Sequence, residues 1–228
     1  MNTKETFFSN KQKVREMTLL AMFIAIILVM GFVPYLGFIQ IGTASITLIH
    51  IPVLIGAVVM GRKGGMIFGL TFGMVSFFRA LTSVGLDYIF IFPWVSILPR
   101  FIFGLLIYDV YRLLYKLIKS RIIALIIAFG LMTFIHTLMV LPLMIASFPL
   151  ALNLPAVSSM IASADQSLIG FMEGVNGFNT IYTIIMGVIV SNGIIEASIA
   201  ASVGAIVADR LIAILHREEK DSEGEPIS

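Results

Sequence analysis

The sequence has no cysteine, which excludes disulfides, thiolate nucleophiles and cysteine-ligated metals and leaves the redox compartment unmarked. Charge is scarce as well: Asp, Glu, Lys and Arg make up 12% of the 228 residues, against roughly 25% in a soluble domain. No His-Glu-x-x-His pair, Gly-x-Ser-x-Gly turn or Walker A loop occurs. Zinc-peptidase chemistry, elbow-type serine hydrolysis and phosphate-cradling ATP hydrolysis are therefore not expected. The Lys and Arg residues form no patch beyond those flanking apolar runs, so nucleic acid is not an expected partner. No metal or cofactor is implied. Tryptophan occurs once, as Trp94.

What remains is apolar. Hydrophobic residues are 59% of the chain and the mean hydropathy is +1.03, which places it among integral membrane proteins. The length suits about six spans of roughly 20 residues. We expect an all-α, six-helix membrane domain over 17–214, a cytoplasmic N-terminal segment 1–16 and a charged cytoplasmic tail 215–228. The spans read as 17–37, 46–60, 65–78, 94–115, 122–145 and 181–214, with a turn at Gly61-Arg62-Lys63-Gly64. The first apolar run lacks a small-residue cleavage site and reads as a retained span. A long outer loop, 146–180, carries only Asp165 and Glu173 as charges. It is too apolar for a disordered linker and reads as an ordered lid or an interfacial segment.

Basic residues set the orientation. With the N-terminus cytoplasmic, every Lys and Arg except Arg79 and Arg100 falls on the inner side, so both termini are expected inside. The two exceptions stand out. Arg100 lies about 9 Å below the outer end of its span at 1.5 Å per residue, where a charge costs about 2.5–3.5 kcal/mol by insertion scales. His136, Asn192 and Glu196 fall in a similar depth range on two other helices, with Asn192 and Glu196 one turn apart. A cation, an imidazole, an amide and a carboxylate at one depth suit a small anion bearing hydroxyl or amide groups. Arg100 would grip its carboxylate in bidentate fashion, with Asn192 and His136 pairing the rest. Blander readings exist: an Arg100–Glu196 ion pair, a helix–helix bond at His136, and a local kink at Asn192-Gly193. His50, ahead of Pro52, reads as ordering the first loop.

Small residues form stripes. Gly61, Gly65, Gly69 and Gly73 recur every fourth position, Ala21 and Ala25 share a face, and so do Ala197, Ala201 and Ala205. Such faces let helix backbones approach closely, within one chain or against another. With no ATPase motif and no obvious inverted repeat of broken helices, uphill transport would draw on a partner more readily than on an ion gradient.

Several stretches carry a resemblance: Ile46-Thr-Leu-Ile-His-Ile-Pro52, Gly61-Arg-Lys-Gly-Gly-Met-Ile-Phe-Gly69, Pro93-Trp-Val-Ser-Ile-Leu-Pro-Arg100 and Ser191-Asn-Gly-Ile-Ile-Glu-Ala197. Together with Ala21-x-x-x-Ala25, they resemble the substrate-binding (S) components of energy-coupling factor (ECF) vitamin transporters, over 17–214. The Pro93–Arg100 pattern is most similar to the pantothenate branch. Trp94, where a small or aliphatic residue is expected, and the long 146–180 loop depart from it. The resemblance implies six helices in a bacterial cytoplasmic membrane, capture of a vitamin near the outer face, and release inward after toppling in the membrane. The implied partners are a transmembrane coupling subunit, EcfT, and two ATPases, which alone use ATP. It implies Arg100 on the vitamin's carboxylate with Asn192 and His136 as hydrogen-bonding partners, and Trp94 is expected as an apolar wall. Glu196 would orient these groups, and Arg79 is counted with them among the substrate-binding residues. Ala21, Ala25, Gly65, Gly69 and Gly73 would meet the coupling subunit or pack internally. Other cargoes (folate, riboflavin, pyridoxine, niacin), a self-sufficient ion-coupled transporter and an intramembrane enzyme on His136 and Glu196 are the rival readings.

Overall fold

The first helix, α1 (Thr3–Phe32), begins well before the apolar run and takes in the polar segment ahead of it. It stops sooner than the expected 37, because Pro34 cannot continue a helix and restricts the residue before it. The structure, a computed structural model, describes residues 3–41, 44–82, 85–152, 187 and 192–223. After α1 the chain turns through Tyr35, in a left-handed conformation (φ 63°), into a two-stranded antiparallel hairpin. Strands β1 (Phe38–Ile41) and β2 (Ala44–Thr47) pair Phe38 with Thr47 and Ile41 with Ala44. This hairpin replaces the plain loop expected there. The Gly37 carbonyl closes its base by accepting the Leu48 and Ile49 N–H groups at 2.7 and 3.3 Å.

Helix α2 (His50–Ala80) does not run as one rod. Gly61 interrupts it at φ 74°, ψ −169°, a region essentially confined to glycine. The chain folds back there. Ala57 meets Gly65, and Gly56 leaves room for the Phe68 ring, which residues 12 apart on one straight helix, roughly 18 Å, could not do. The first arm, 50–60, reaches only about 16 Å, half the hydrocarbon thickness. No atom lies within 4 Å of a β-carbon added at Gly61, so the backbone angle alone demands glycine. Gly61→Ala is expected to destabilise the protein by about 1–3 kcal/mol. The check is thermal unfolding in detergent; an unchanged midpoint would rule out this turn.

A 3-10 helix (Gly85–Ile91) and the short α3 (Pro93–Ser96) lead to α4 (Leu98–Ile118), which has Pro99 in its first turn and ends at Lys119 in a left-handed conformation (φ 58°). Helix α5 (Arg121–Leu152) runs past both Pro142 and Pro149, so 146–152 is helix rather than loop. The rest of the expected lid, 153–180, and the start of the expected sixth span lie outside the described residues. From Asn192 the chain is helical again, passes through a π-helical turn (Ala200–Gly204), and continues as α6 (Ala205–Glu223) into the expected tail.

Packing follows the small residues. The second arm of α2 lies against α4 so closely that a β-carbon on Gly65 or Gly69 would overlap the carbonyls of Gly104 and Arg100, and one on Gly73 would sit 2.8 Å from Ile97 Cα. Gly130 of α5 faces Ala197 and Ala201 more loosely, with room for a β-carbon 3.5 Å from Ala201 Cβ. Around these contacts the core fills with Phe23, Ile27, Leu54, Phe68, Phe103 and Phe129. At one end of the bundle, Arg15 donates to the Leu215 carbonyl (3.1 Å), and Arg62–Asp109 (3.3 Å) and Arg121–Asp209 (2.6 Å) pair. This basic end lies opposite the β-hairpin. Among the described residues, Gln12–Phe32, His50–Ala80, Arg121–Ser147 and Asn192–Glu218 are long and apolar enough to cross a membrane by length and composition, with His50–Ala80 folded in two at Gly61. The chain is an all-α membrane protein, with a single small strand pair among the described residues.

Candidate functional site

Towards the hairpin end, polar side chains are buried among aromatic rings. Arg100 sits in the first turn of α4 and is 3% exposed. Its Nη1 donates to the Val95 carbonyl at 2.7 Å. Pro99, four residues after Val95, has no N–H to give to that carbonyl, which leaves it free to accept from Arg100. That bond leaves the Nε–Nη2 edge, the one that takes a carboxylate in bidentate fashion. Nε on this edge has no hydrogen-bond partner among the described residues. The guanidinium carbon lies 4.4 Å from the Phe90 ring centroid and 5.2 Å from that of Phe72, so two ring faces stand around the charge.

The imidazole of His136, on α5, packs between Phe103 (5.0 Å between centroids) and Phe72 (5.8 Å). Its Nε2 is buried with no partner among the described residues, as is the Nε2 of His50 at the start of α2. Arg100 and His50 both lie within electrostatic reach of His136. His50 does order the first loop, through a hydrogen bond with the Thr47 backbone, yet its other ring nitrogen belongs to this cluster.

Glu196 is buried on the last helix, and its carboxylate accepts the Thr47 N–H, tying the end of β2 to that helix. It makes no ion pair with Arg100 within 4 Å, although the two are in electrostatic reach. The pairing weighed from sequence is thus not formed, because the hairpin supplies the carboxylate's partner. Asn192, one turn earlier, is half-buried, and Gly193 beside it abuts Thr137, next to His136. The last helix and α5 therefore meet at the level of this cluster.

Two expected residues lie at the rim. Arg79 stacks over the Phe38 ring (4.0 Å to the centroid) and pairs with Asp87 (3.8 Å), linking β1 to the 3-10 helix. Trp94 is 46% exposed, stacks on Phe92, and donates from Nε1 to the Ser147 hydroxyl at 2.9 Å. It joins α3 to the end of α5 rather than walling the buried cluster. Phe72, Phe90 and Phe103 supply that wall instead. They went unnoticed in the sequence because phenylalanine is common in it; Phe72 and Phe103 share a helical face with Gly65–Gly73 and Arg100, while Phe90, on the 3-10 helix, carries no such signal.

The small-residue faces separate into two kinds. Gly65, Gly69 and Gly73 are buried against α4, the internal packing that stood as the alternative to docking. Ala197 and Ala201 face Gly130 inside the bundle. Ala21 and Ala25 are exposed, on a face of α1 that also shows Met17, Met22, Ile26 and Val29.

The chain is similar to the pantothenate transporter PanT of Leuconostoc mesenteroides subsp. mesenteroides, 27% identical over 188 residues that cover 79% of this chain and 90% of that protein. It is also similar to the pantothenic acid transporter PanT of Lactococcus lactis subsp. cremoris, 32% identical over 120 residues, 45% of this chain and 61% of that one. The family described as ECF transporter, substrate-specific component, matches residues 15–208, a stretch that holds the whole buried cluster and all but the ends of the bundle. By that match, this chain belongs to the substrate-specific components of ECF transporters.

Proposed function

We propose that the chain captures pantothenate from outside the cell and passes it inward together with a transmembrane coupling subunit and two ATPases. The observation that carries this reading is the buried Arg100, whose carboxylate-binding edge has an unpartnered Nε and is flanked by aromatic rings. A buried cation without a carboxylate partner is costly, and a ligand carboxylate would relieve that cost. Pantothenate offers one carboxylate, one amide and two hydroxyls, which match Arg100, Asn192 and His136. The names of the two relatives favour the same cargo.

In this reading the chain sits in a bacterial cytoplasmic membrane, with the basic end of the bundle and both termini on the cytoplasmic side. The chain passes six times, the second pass being the short first arm of α2 completed by the hairpin. Glu196 holds that hairpin beside the site through Thr47, Arg79 and Trp94 stand at the rim, and Ala21 and Ala25 meet the coupling subunit. No step of the work is chemical; the ATPases would supply the energy.

The test uses the single tryptophan. Purified protein in detergent is titrated with pantothenate, folate, riboflavin, pyridoxine and niacin while Trp94 emission is followed, with calorimetry for the coloured ligands. Saturable binding of pantothenate in preference to the others is the expected result. Binding of a different vitamin would move the cargo, and uptake by this chain alone, collapsing with an ion gradient, would favour a secondary transporter.

A further inference from the structure

The pairing register of the hairpin fixes which way Thr47 points. Phe38 stands opposite Thr47, and the next bond outward runs from the Leu48 N–H to the Gly37 carbonyl at 2.7 Å. That pattern marks Phe38–Thr47 as a pair that exchanges no hydrogen bonds, so the Thr47 N–H and C=O point away from β1. A strand edge turned into the protein needs partners for these groups. Two side chains supply them. The Glu196 carboxylate accepts the Thr47 N–H, and His50 bonds to the Thr47 backbone on the carbonyl side.

Glu196 is 7% exposed, and the cation in its electrostatic reach is Arg100. The helix that carries it meets α5 where Gly193 abuts Thr137, beside His136, and the Phe72 ring is shared by His136 and the Arg100 guanidinium. A buried carboxylate deprived of its donor would turn to that cation, because an unpaired buried charge is costly. Yet the two form no ion pair, and the Arg100 Nε has no partner among the described residues. The Thr47 N–H occupies the protein's own carboxylate while the carboxylate-binding edge of the arginine stays open.

We infer that Thr47 is a positioning residue for ligand capture: by holding Glu196 through its main-chain N–H, it keeps an internal carboxylate from competing with the ligand's carboxylate for Arg100. The inference rests on the pantothenate reading and adds what keeps its anchor available. Freed from Thr47, Glu196 would occupy Arg100 in part of the population, and apparent affinity falls with the fraction left competent. A ligand without a carboxylate escapes that loss, because it makes no use of the open edge of Arg100.

The experiment is calorimetric titration of the full chain with pantothenate and with its alcohol, in which a hydroxymethyl group replaces the carboxylate. Thr47→Pro deletes the N–H but breaks no ladder bond, since that N–H is turned away from β1. It is expected to weaken pantothenate roughly tenfold and to leave the alcohol within about twofold. Glu196→Gln removes the competing charge, and its amide oxygen can still accept the Thr47 N–H. Adding it to Thr47→Pro is expected to bring pantothenate affinity back to within about threefold of wild type. A double variant as weak as Thr47→Pro, a parallel loss of both ligands in Thr47→Pro, or no loss of either would overturn the inference while the carboxylate reading stands. Should Thr47→Pro not fold, Glu196→Gln alone decides. It is expected to tighten pantothenate about threefold, because one negative charge near the ligand's carboxylate is gone; unchanged or weaker binding overturns the inference. Wild-type protein that binds neither ligand, or both equally, would overturn the pantothenate reading and this inference with it.

Discussion

Arg100→Gln is expected to weaken pantothenate binding roughly 100-fold, about 2.7 kcal/mol, and to leave the folded protein at least as stable as wild type. The two halves of that expectation have one cause. The guanidinium is almost fully buried, its hydrogen bond to Val95 satisfies one nitrogen, and Nε stays unpaired. Two aromatic rings and the electrostatic reach of Asp87 and Glu196 offset only part of the cost of burying it. A neutral side chain of similar length removes that burden from the empty protein and the grip from the bound one. Residues kept for function at the expense of stability behave in this way. Binding is read by calorimetry and stability by thermal unfolding in the same detergent. Unchanged affinity would sink the carboxylate assignment. Loss of folded protein would show that Arg100 serves the bundle instead, as a structural cation of α4.

How much of this could be read from sequence depended on how rare each residue type is. Arg100, Glu196 and His136 stood out because charges and imidazoles are scarce in so apolar a chain, and the structure does bring them into one region. Phe72 and Phe103 were invisible for the opposite reason: phenylalanines are ordinary in membrane helices, and only their neighbours make them special. The turn at Gly61 was legible because glycine beside Arg62 and Lys63 marks both a backbone break and a membrane face. The hairpin at 38–47 was missed because four-residue strands leave too short an alternation to tell from a loop. Helix α5 outran its expected end because proline breaks a helix less decisively in an apolar setting, where the backbone has no water to turn to. Periodicity announced the glycine stripe, but a period gives a face and not what it faces. The carbonyls of Gly104 and Arg100 had to be seen against it.

That last distinction yields the sharpest paired outcome, because two small-residue faces that look alike in sequence should fail in opposite ways. Gly69→Val pushes a branched side chain into the Arg100 carbonyl and the Gly104 backbone, neither of which can rotate aside. Overpacking of a tight contact costs about 1–3 kcal/mol and more where only backbone can yield. The α2–α4 spacing must widen, and Arg100 moves with it. We expect a lower unfolding temperature in detergent together with loss of pantothenate binding, whether or not a coupling subunit is present. Ala21→Trp meets nothing inside the chain, since Ala21 is exposed on α1 while Phe23 and Ile27 hold the buried side. It should leave detergent binding within about twofold, yet a clash of about 1.4 kcal/mol at a docking face would already reduce complex formation tenfold. Uptake by cells that supply the coupling subunit and ATPases should fall accordingly. Normal uptake by Ala21→Trp would strip α1 of its docking role and leave that face to lipid, and wild-type stability in Gly69→Val would contradict the close approach of α2 to α4.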